Sequence, residues 1–429
     1  MSETKQSVID DLRWRDLIHQ VSDDAATKLI DAGKAVAYIG FDPTSDSLHH
    51  GNLIQLLNLR RLQVGGNRPI VVAGGATGMV GDPSGKSTER ILLSREVLEH
   101  NVARIKVQLE QIIDFDAGRS SAVLVNNADW LGEVRMLEFL RDVGKHVTVN
   151  QMVAKDSVRA RLHEREHGIS YTEFSYMLLQ AADYLHLYDT YGCNLQMGAS
   201  DQWGNITVGI DLIRKARGVH VYGMTSPLLL KPDGTKFGKS ESGAIYLDPK
   251  KTSPYDFYQF FLRADDASVV QYLKVFTFLS HEEIEELKIA VEQKPELRLG
   301  QHALANEITQ LIHGADGLAL ARQASEALFS TEILTMDARA IEMALAGAPH
   351  YDVDASSLAL GAAVVDLLSG AGLCKSRSEA RKLITQGGVY LNNVRVHDVD
   401  ATVRTSDILP GGQILLRKGK KDYLALTLR

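Results

Sequence analysis

Cysteine is almost missing from this chain: Cys193 and Cys374 are the only two, far apart in sequence. Two isolated thiols cannot make a disulfide framework or a four-thiolate zinc site, and they fit a reducing compartment, so a cytoplasmic setting is expected. Long apolar runs are missing too. No stretch of about 18 apolar residues occurs, so no membrane span is expected. The first residues are polar and charged with no apolar core segment behind them, which argues against a secretory signal. An excess of positive charge is also lacking: 47 Lys and Arg face 54 Asp and Glu, a net charge of −7. Unspecific binding along a polyanion is therefore disfavoured.

What is present is a globular composition, 45% hydrophobic and 24% charged, over 429 residues. That length exceeds one ordinary core and implies two or three domains. The charge is uneven. From Ser356 to Arg429 there are 11 Lys and Arg against 6 Asp and Glu, a net of +5 on an otherwise acidic chain. A basic tail suggests one dedicated polyanion-facing surface. In the first half, short apolar runs alternate with helical patterns, the signature of a parallel α/β sheet. Strands are expected at Val36–Gly40, Pro69–Ala73, Asn194–Met197 and Leu228–Leu230, each feeding a polar or glycine-containing loop. Helical patterns follow over Pro254–Leu262, Val269–Leu279 and Gln301–Ile312, and 331–357 reads as a linker. The tail reads as helix, basic helix (Ser378–Ile384) and strands at Val389–Leu391 and Gln413–Leu416.

Five segments could carry chemistry. Tyr38 to Asn52 contains Tyr-Ile-Gly-Phe-Asp-Pro-Thr and then Leu-His-His-Gly-Asn-Leu opening a helix. A helix N-terminus offers free N–H groups to phosphate, Gly51 permits close approach, and His49 and Asn52 can donate. The plainer alternative is that His49 and Asn52 merely cap the helix. Gly74 to Lys86 is glycine-rich but is no nucleotide-triphosphatase loop: only three residues separate Gly81 from Gly85 where four are needed, and Val80 stands where that pattern needs glycine. Lys231 to Ser242 holds Lys236-Phe237-Gly238-Lys239-Ser240, two lysines able to stabilise charge on a departing polyphosphate, or simply solvated surface. On the Glu173–Leu187 helix, Tyr176, Gln180 and Asp183 fall at i, i+4 and i+7 in a stripe without lysine. Such a stripe is either a solvent face or the lining of a small-molecule pocket. Gln196 to Asn205 places Asp201, Gln202 and Asn205 between a strand and a helix, suited to ribose and carboxylate groups, with helix capping by Asp201 as the competitor.

Together and in this order, the five segments resemble the bacterial tyrosyl-tRNA synthetases along nearly the whole chain. The family's His-x-Gly-His signature corresponds to His49-His50-Gly51-Asn52, and its Lys-Met-Ser-Lys-Ser signature to Lys236-Phe237-Gly238-Lys239-Ser240. Lys375 to Asn392 resembles the small RNA-binding module these enzymes carry at the C-terminus. The resemblance implies a Rossmann-like parallel-sheet catalytic domain over 1–250, with a subunit-interface insertion near 110–165 that includes Leu137–Val153. A helical anticodon-side domain over 251–330, the linker 331–357 and an α+β RNA-binding domain over 358–429 would follow.

Carried over by position, Tyr38 and Asp183 would bond the phenol hydroxyl of tyrosine. Asp82, Tyr176 and Gln180 would hold its ammonium, supported by Asn127 and Gln196. Asp42, Asp201 and Gln202 would contact the adenylate, ribose or reacting carboxylate, with Gly40 and Gly51 beside the nucleotide. Thr44, His49 and Asn52 would meet ATP phosphates, and Lys86, Arg90, Lys236, Lys239 and Ser240 the pyrophosphate. The implied partners are L-tyrosine, ATP with magnesium, tRNA(Tyr) and a second copy of the chain, with no permanent cofactor or metal site. Departures are Asn52 for the second histidine, Ile39 for a polar cysteine, Ala199 for a glycine and Ala128 for a tyrosine. A tryptophanyl-tRNA synthetase, another nucleotidyltransferase or an inactive RNA-binding relative are the rival readings.

Overall fold

The computed structural model describes residues 7–84, 93–155, 158–159, 162, 168–229, 237, 244–327, 330–345, 348–419 and 422–429. Its compact units are Met1–Asp248 with Asp265–Gly300, and Pro249–Ala264 with Gln301–Arg429.

The first unit is built on a six-stranded sheet of β1 (Gln20–Val21), β2 (Val36–Phe41), β3 (Arg68–Ala73), β4 (Val123–Asn126), β5 (Leu195–Ala199) and β6 (Tyr222–Ser226). Their order across the sheet is β1-β6-β5-β2-β3-β4, all parallel except the antiparallel β1–β6 edge pair. The central strands are apolar on both faces because helices cover both, so Val36–Phe41 and Arg68–Ala73 lack a strict inside–outside alternation. Progression β2, β3, β4 runs one way from the centre, while β5 and β6 lie on the other side. The reversal falls between β2 and β5, where an open parallel sheet leaves a crevice at the strand ends.

Two helices complete that crevice. His50–Val64 buries Leu53, Leu56, Leu57, Leu59 and Leu62. Tyr171–Tyr191 starts at Ser170, whose hydroxyl accepts the Glu173 N–H, and stops at Gly192, where φ is 68°. Glycine adopts that left-handed conformation without the strain a side chain adds, which ends the helix cleanly. The Val269–Phe276 helix belongs to this unit as well. Its C-terminal carbonyls are met by two buried arginines: Arg61 bonds those of Lys274, Val275 and Thr277, and Arg15 those of Lys274, Thr277 and Leu279. Guanidinium groups complement the negative end of the helix dipole there.

The second unit contains the Pro254–Leu262 helix, the helical run Leu299–Ala327 from Gln301 onward, interrupted at Gly314 (φ 72°), and a five-stranded C-terminal sheet. In that sheet Val389–Leu391, Gln413–Lys418 and Asp422–Leu428 are antiparallel neighbours, and Asn392 and Asn393 make the turn into Val394–Arg395 with φ of 46° and 62°. The basic helix Arg377–Thr385 buries Ala380 and Ile384 and leaves Arg377, Arg381 and Lys382 exposed.

Several sequence expectations need correction. Leu228 and Leu229 are irregular, and the strand lies earlier at Tyr222–Ser226; Leu230 falls outside the described residues. Residues 265–300 pack with the first unit, so 251–330 is not one compact body. The stretch 331–357 is no plain linker: it forms the Ala338–Leu345 helix and the His350–Val353 strand, which pairs parallel with Asp422–Leu428. A four-residue strand satisfied by a partner some 75 positions away has no local signature.

Candidate active site

At the reversal point the first unit holds a cavity of about 400 Å³. The parallel register sets Tyr38 on β2 opposite Gln196 on β5, and both side chains line this cavity. Facing them across the strand ends, the Tyr171–Tyr191 helix contributes Tyr176, Gln180 and Asp183. Tyr176 and Asp183 are only 6% and 4% exposed. The lysine-free stripe is therefore a pocket wall and not a solvent face.

At the deep end, the Tyr38 hydroxyl points at the Gln180 carbonyl, 3.5 Å away. Asp183 lies buried beside two donors: Trp130 Nε1 bonds one carboxylate oxygen at 2.8 Å, and Asn127 Nδ2 the other at 3.0 Å. Neither nitrogen can accept, so both carboxylate oxygens are held as acceptors. Burial nevertheless pushes the Asp183 pKa up to about 7, against the lowering effect of the two donors. Burial first, and the neighbouring Asp183 second, hold the Tyr38 phenol well above its usual range. Asn127 has a further task. Its Oδ1 accepts the Ala76 N–H and its Nδ2 also reaches Thr77 Oγ1, tying the glycine loop to Asp183.

A chain of amides runs along the middle of the cavity. Asn205 Nδ2 donates to Gln180 Oε1 (2.9 Å), Gln180 Nε2 to Gln202 Oε1 (3.3 Å), and Gln202 Nε2 to Asp82 Oδ2 (2.6 Å). Each amide thereby has its direction fixed, and the chain ends on a carboxylate. Asp82 Oδ1 accepts the Ser84 N–H. Asp42 accepts from Thr77 Oγ1 at 3.0 Å and from the Tyr176 hydroxyl at 3.2 Å. Asp201 lies in a short turn before the Trp203–Arg217 helix and does not cap it, since Gln202 is the N-cap residue.

The outer end is the N-terminus of the His50–Val64 helix. His49 is its N-cap, with Nδ1 accepting the Gly51 N–H at 3.0 Å, and Asn52 Oδ1 accepts the His49 N–H at 3.0 Å. Capping and cavity lining are not alternatives here, because both residues do both. With Nδ1 as acceptor the neutral ring carries its proton on Nε2, and the Asn52 amide nitrogen can only donate, so the pair is set up for an anion. A Cβ on Gly51 would meet the His49 ring at 2.8 Å, so glycine is what lets that ring cap the helix. Gly40, Thr44 and Asp201 line the same cavity.

Thus the site residues expected from the sequence that lie among the described residues border one cavity, except Asn205, which stands behind the lining and bonds Gln180 and Gln202. Lys86, Arg90, Lys236, Lys239 and Ser240 lie outside the described residues. Two participants carried no signal in the sequence reading: Trp130, which bonds a residue 53 positions away, and Thr77, which links Asp42 to Asn127; Asn205 is a candidate there, but as a ligand contact and not as the orienter of Gln180.

A family model described as tRNA synthetases class I (W and Y) matches residues 31–330, and one described as the tyrosine–tRNA ligase SYY-like C-terminal domain matches 340–426. The chain is 52% identical to a tyrosine–tRNA ligase of Opitutus terrae over 98% of its own length and 100% of the relative's. It is 50% identical to that of Bacillus caldotenax, over 96% and 97% respectively. Among solved structures, a C-terminally truncated mitochondrial tyrosyl-tRNA synthetase of Aspergillus nidulans superposes with a TM-score of 0.67 at 33% identity, covering 76% of this chain and 94% of that one. The chain therefore belongs to the class I tRNA synthetases of the tryptophan and tyrosine family.

Proposed function

We infer that the chain is a tyrosine–tRNA ligase, which joins tyrosine to ATP as tyrosyl-adenylate and then transfers the tyrosyl group to tRNA(Tyr). The observation that carries the choice of amino acid is the deep end of the cavity. Asp183, held as an acceptor by Asn127 and Trp130, and the Tyr38 hydroxyl beside it form a floor that a phenol satisfies and a phenyl ring does not. Full-length similarity to tyrosine–tRNA ligases at about half identity supports the same substrate.

In the first step a tyrosine carboxylate oxygen attacks the α-phosphorus of ATP, a new P–O bond forms, and the bond to pyrophosphate breaks. The nucleophile is already an anion, so no residue need remove a proton. Catalysis reduces to orientation and stabilisation of charge on the leaving group. Asp82 at the end of the amide chain is placed to hold the ammonium, together with Tyr176 and Gln180. Asp42, Asp201 and Gln202 face the adenylate end, while His49, Asn52 and Thr44 face phosphate. Lys236, Lys239 and Ser240 are assigned to the pyrophosphate by the family signature, and Lys86 and Arg90 by their position in the resemblance. Magnesium enters with ATP, bound by phosphate oxygens and water. The described residues gather no group of three or more carboxylates, imidazoles or thiols that could hold it alone. In the second step a terminal ribose hydroxyl of the tRNA attacks the acyl carbon, and AMP leaves.

The partner surfaces follow from exposed features of each unit. Met136, Leu137 and Val149 are 70%, 79% and 62% exposed, with Val134 and Leu140 nearby in sequence. Apolar side chains this exposed in one segment support a protein contact there, which we read as a second copy of the chain. The exposed basic residues of the Arg377–Thr385 helix fit the tRNA backbone. Among the described residues no helix is long and apolar enough to cross a membrane. The reading is tested by ATP–pyrophosphate exchange with each amino acid in turn. Exchange should depend on tyrosine, and equal exchange with several amino acids would refute it.

A further inference from the structure

His50 takes no part in the chemistry above, yet several contacts converge on it. Its backbone N–H bonds the Ile245 carbonyl at 2.9 Å, and its ring Nδ1 lies 3.2 Å from the same oxygen. The edge of the ring meets Phe237, with centroids 5.3 Å apart and planes at 78°. Around this point the chain is stitched together: Leu247 N–H bonds the Leu48 carbonyl, Asp248 N–H bonds Ser47 Oγ, and His49 and Tyr246 form an antiparallel bridge. Residues 245–248 thus run back along 47–50. On its other side Phe237 packs on Tyr272 and Phe276, at 4.7 and 5.4 Å between centroids. That helix is gripped in turn by Arg61, three turns along the helix that His50 begins. The contacts close a circuit from His50 through Phe237 and the Val269–Phe276 helix to Arg61 and back.

We propose that His50 is a positioning residue, which fixes Phe237 and residues 245–248 against the helix end carrying His49 and Asn52, and so holds that end in place for ATP. This rests on reading His49, Asn52 and the lysine signature as contacts to ATP. A carbonyl only accepts, so Nδ1 must carry a proton to bond Ile245. Burial pushes the ring pKa down to about 4, against the raising effect of hydrogen bonds to the Ile245 and Phe237 backbones, so the ring is neutral at working pH and has one N–H to donate. One imidazole supplies both the donor for one segment and the aromatic edge for the other. An aliphatic side chain of similar size can fill the space but cannot bond Ile245.

The test compares His50→Leu and His50→Asn in the full-length enzyme, with single-turnover adenylate formation normalised to titrated active sites, and tyrosine affinity measured without ATP. His50→Leu is expected to slow adenylate formation about tenfold or more while tyrosine affinity stays within about twofold. His50→Asn, whose amide can place a donor near the Nδ1 position, should recover most of the rate. Phe237→Leu should show the same split, and combining it with His50→Leu should cost less than the product of the two effects. An unimpaired rate in His50→Leu, equal losses in the Leu and Asn variants, or a loss of tyrosine affinity as large as the loss of rate would overturn the proposal. Should His50→Leu not fold, the Asn and Phe237→Leu variants decide it by the same criteria. Wild-type enzyme in the same assay separates the two claims: no tyrosine-dependent exchange there would refute the ligase reading itself.

Discussion

Replacing Trp130 with phenylalanine should move the pH dependence of tyrosine binding. Trp130 Nε1 donates to Asp183 at 2.8 Å, and the indole also stacks on His186 at 4.3 Å between centroids. Phenylalanine keeps an aromatic ring for that stack and removes the donor. A hydrogen bond to a charged group contributes roughly 1.5–3 kcal/mol, which corresponds to about one to two pKa units at ~1.4 kcal/mol each. Losing it disfavours the carboxylate, so the Asp183 pKa should rise from about 7 toward ~8–9. If the substrate phenol donates to ionised Asp183, tyrosine affinity falls as pH drops through that pKa. At pH 7 about half of the wild-type sites are ionised, against roughly one in ten to one in a hundred in the variant. Binding at pH 7 should therefore weaken about five- to fiftyfold and recover at alkaline pH. Equilibrium dialysis of labelled tyrosine across pH 6 to 9, without ATP, measures both midpoints. Coincident midpoints in the two proteins would refute the reasoning, as would wild-type binding that does not vary with pH.

Arg61→Met should lower stability by roughly 1–3 kcal/mol, because it leaves the Val275 carbonyl buried without its donor and the Lys274 and Thr277 carbonyls with Arg15 alone; an unchanged unfolding midpoint would contradict this. Gly40→Val should do the reverse. A Cβ at Gly40 meets nothing within 4 Å and Gly40 lines the cavity, so stability should change by less than about 1 kcal/mol while the KM for ATP rises. Leu137→Asp should shift the protein toward monomer in sedimentation, since a charge replaces a 79% exposed leucine in the proposed subunit contact; an unchanged mass would remove that segment from the interface.

Much of the cavity was legible because short polar residues sit at the ends of apolar strands, and because Tyr176, Gln180 and Asp183 form a helix stripe without lysine. Such a face has little reason to be apolar around its polar stripe unless it is buried. The helix capping by His49 and Asn52 was legible too, although as a rival to function and not as its geometry. What stayed hidden is long-range. Nothing in the residues around Trp130 says that its indole meets Asp183, and nothing around Asn205 says that it aligns Gln180. The strand Tyr222–Ser226 has glycine, threonine and serine where an apolar run is expected, so the neighbouring leucines drew the assignment instead. The His350–Val353 strand is stabilised by a partner near the C-terminus and leaves no local periodicity.

The central claim is that the cavity floor recognises a hydroxyl. A site built to bond a hydroxyl rejects the analogue lacking it by ~10⁴–10⁵, a range for which enzymes of this family are the standard example. The direct measurement is kcat/KM for pyrophosphate exchange with tyrosine and with phenylalanine, in wild type and in Asp183→Ala. The account predicts strong preference for tyrosine in the wild type and its collapse in the variant, mainly through loss of tyrosine activation. Comparable kcat/KM for the two amino acids in the wild type, or a preference untouched by the substitution, would contradict it.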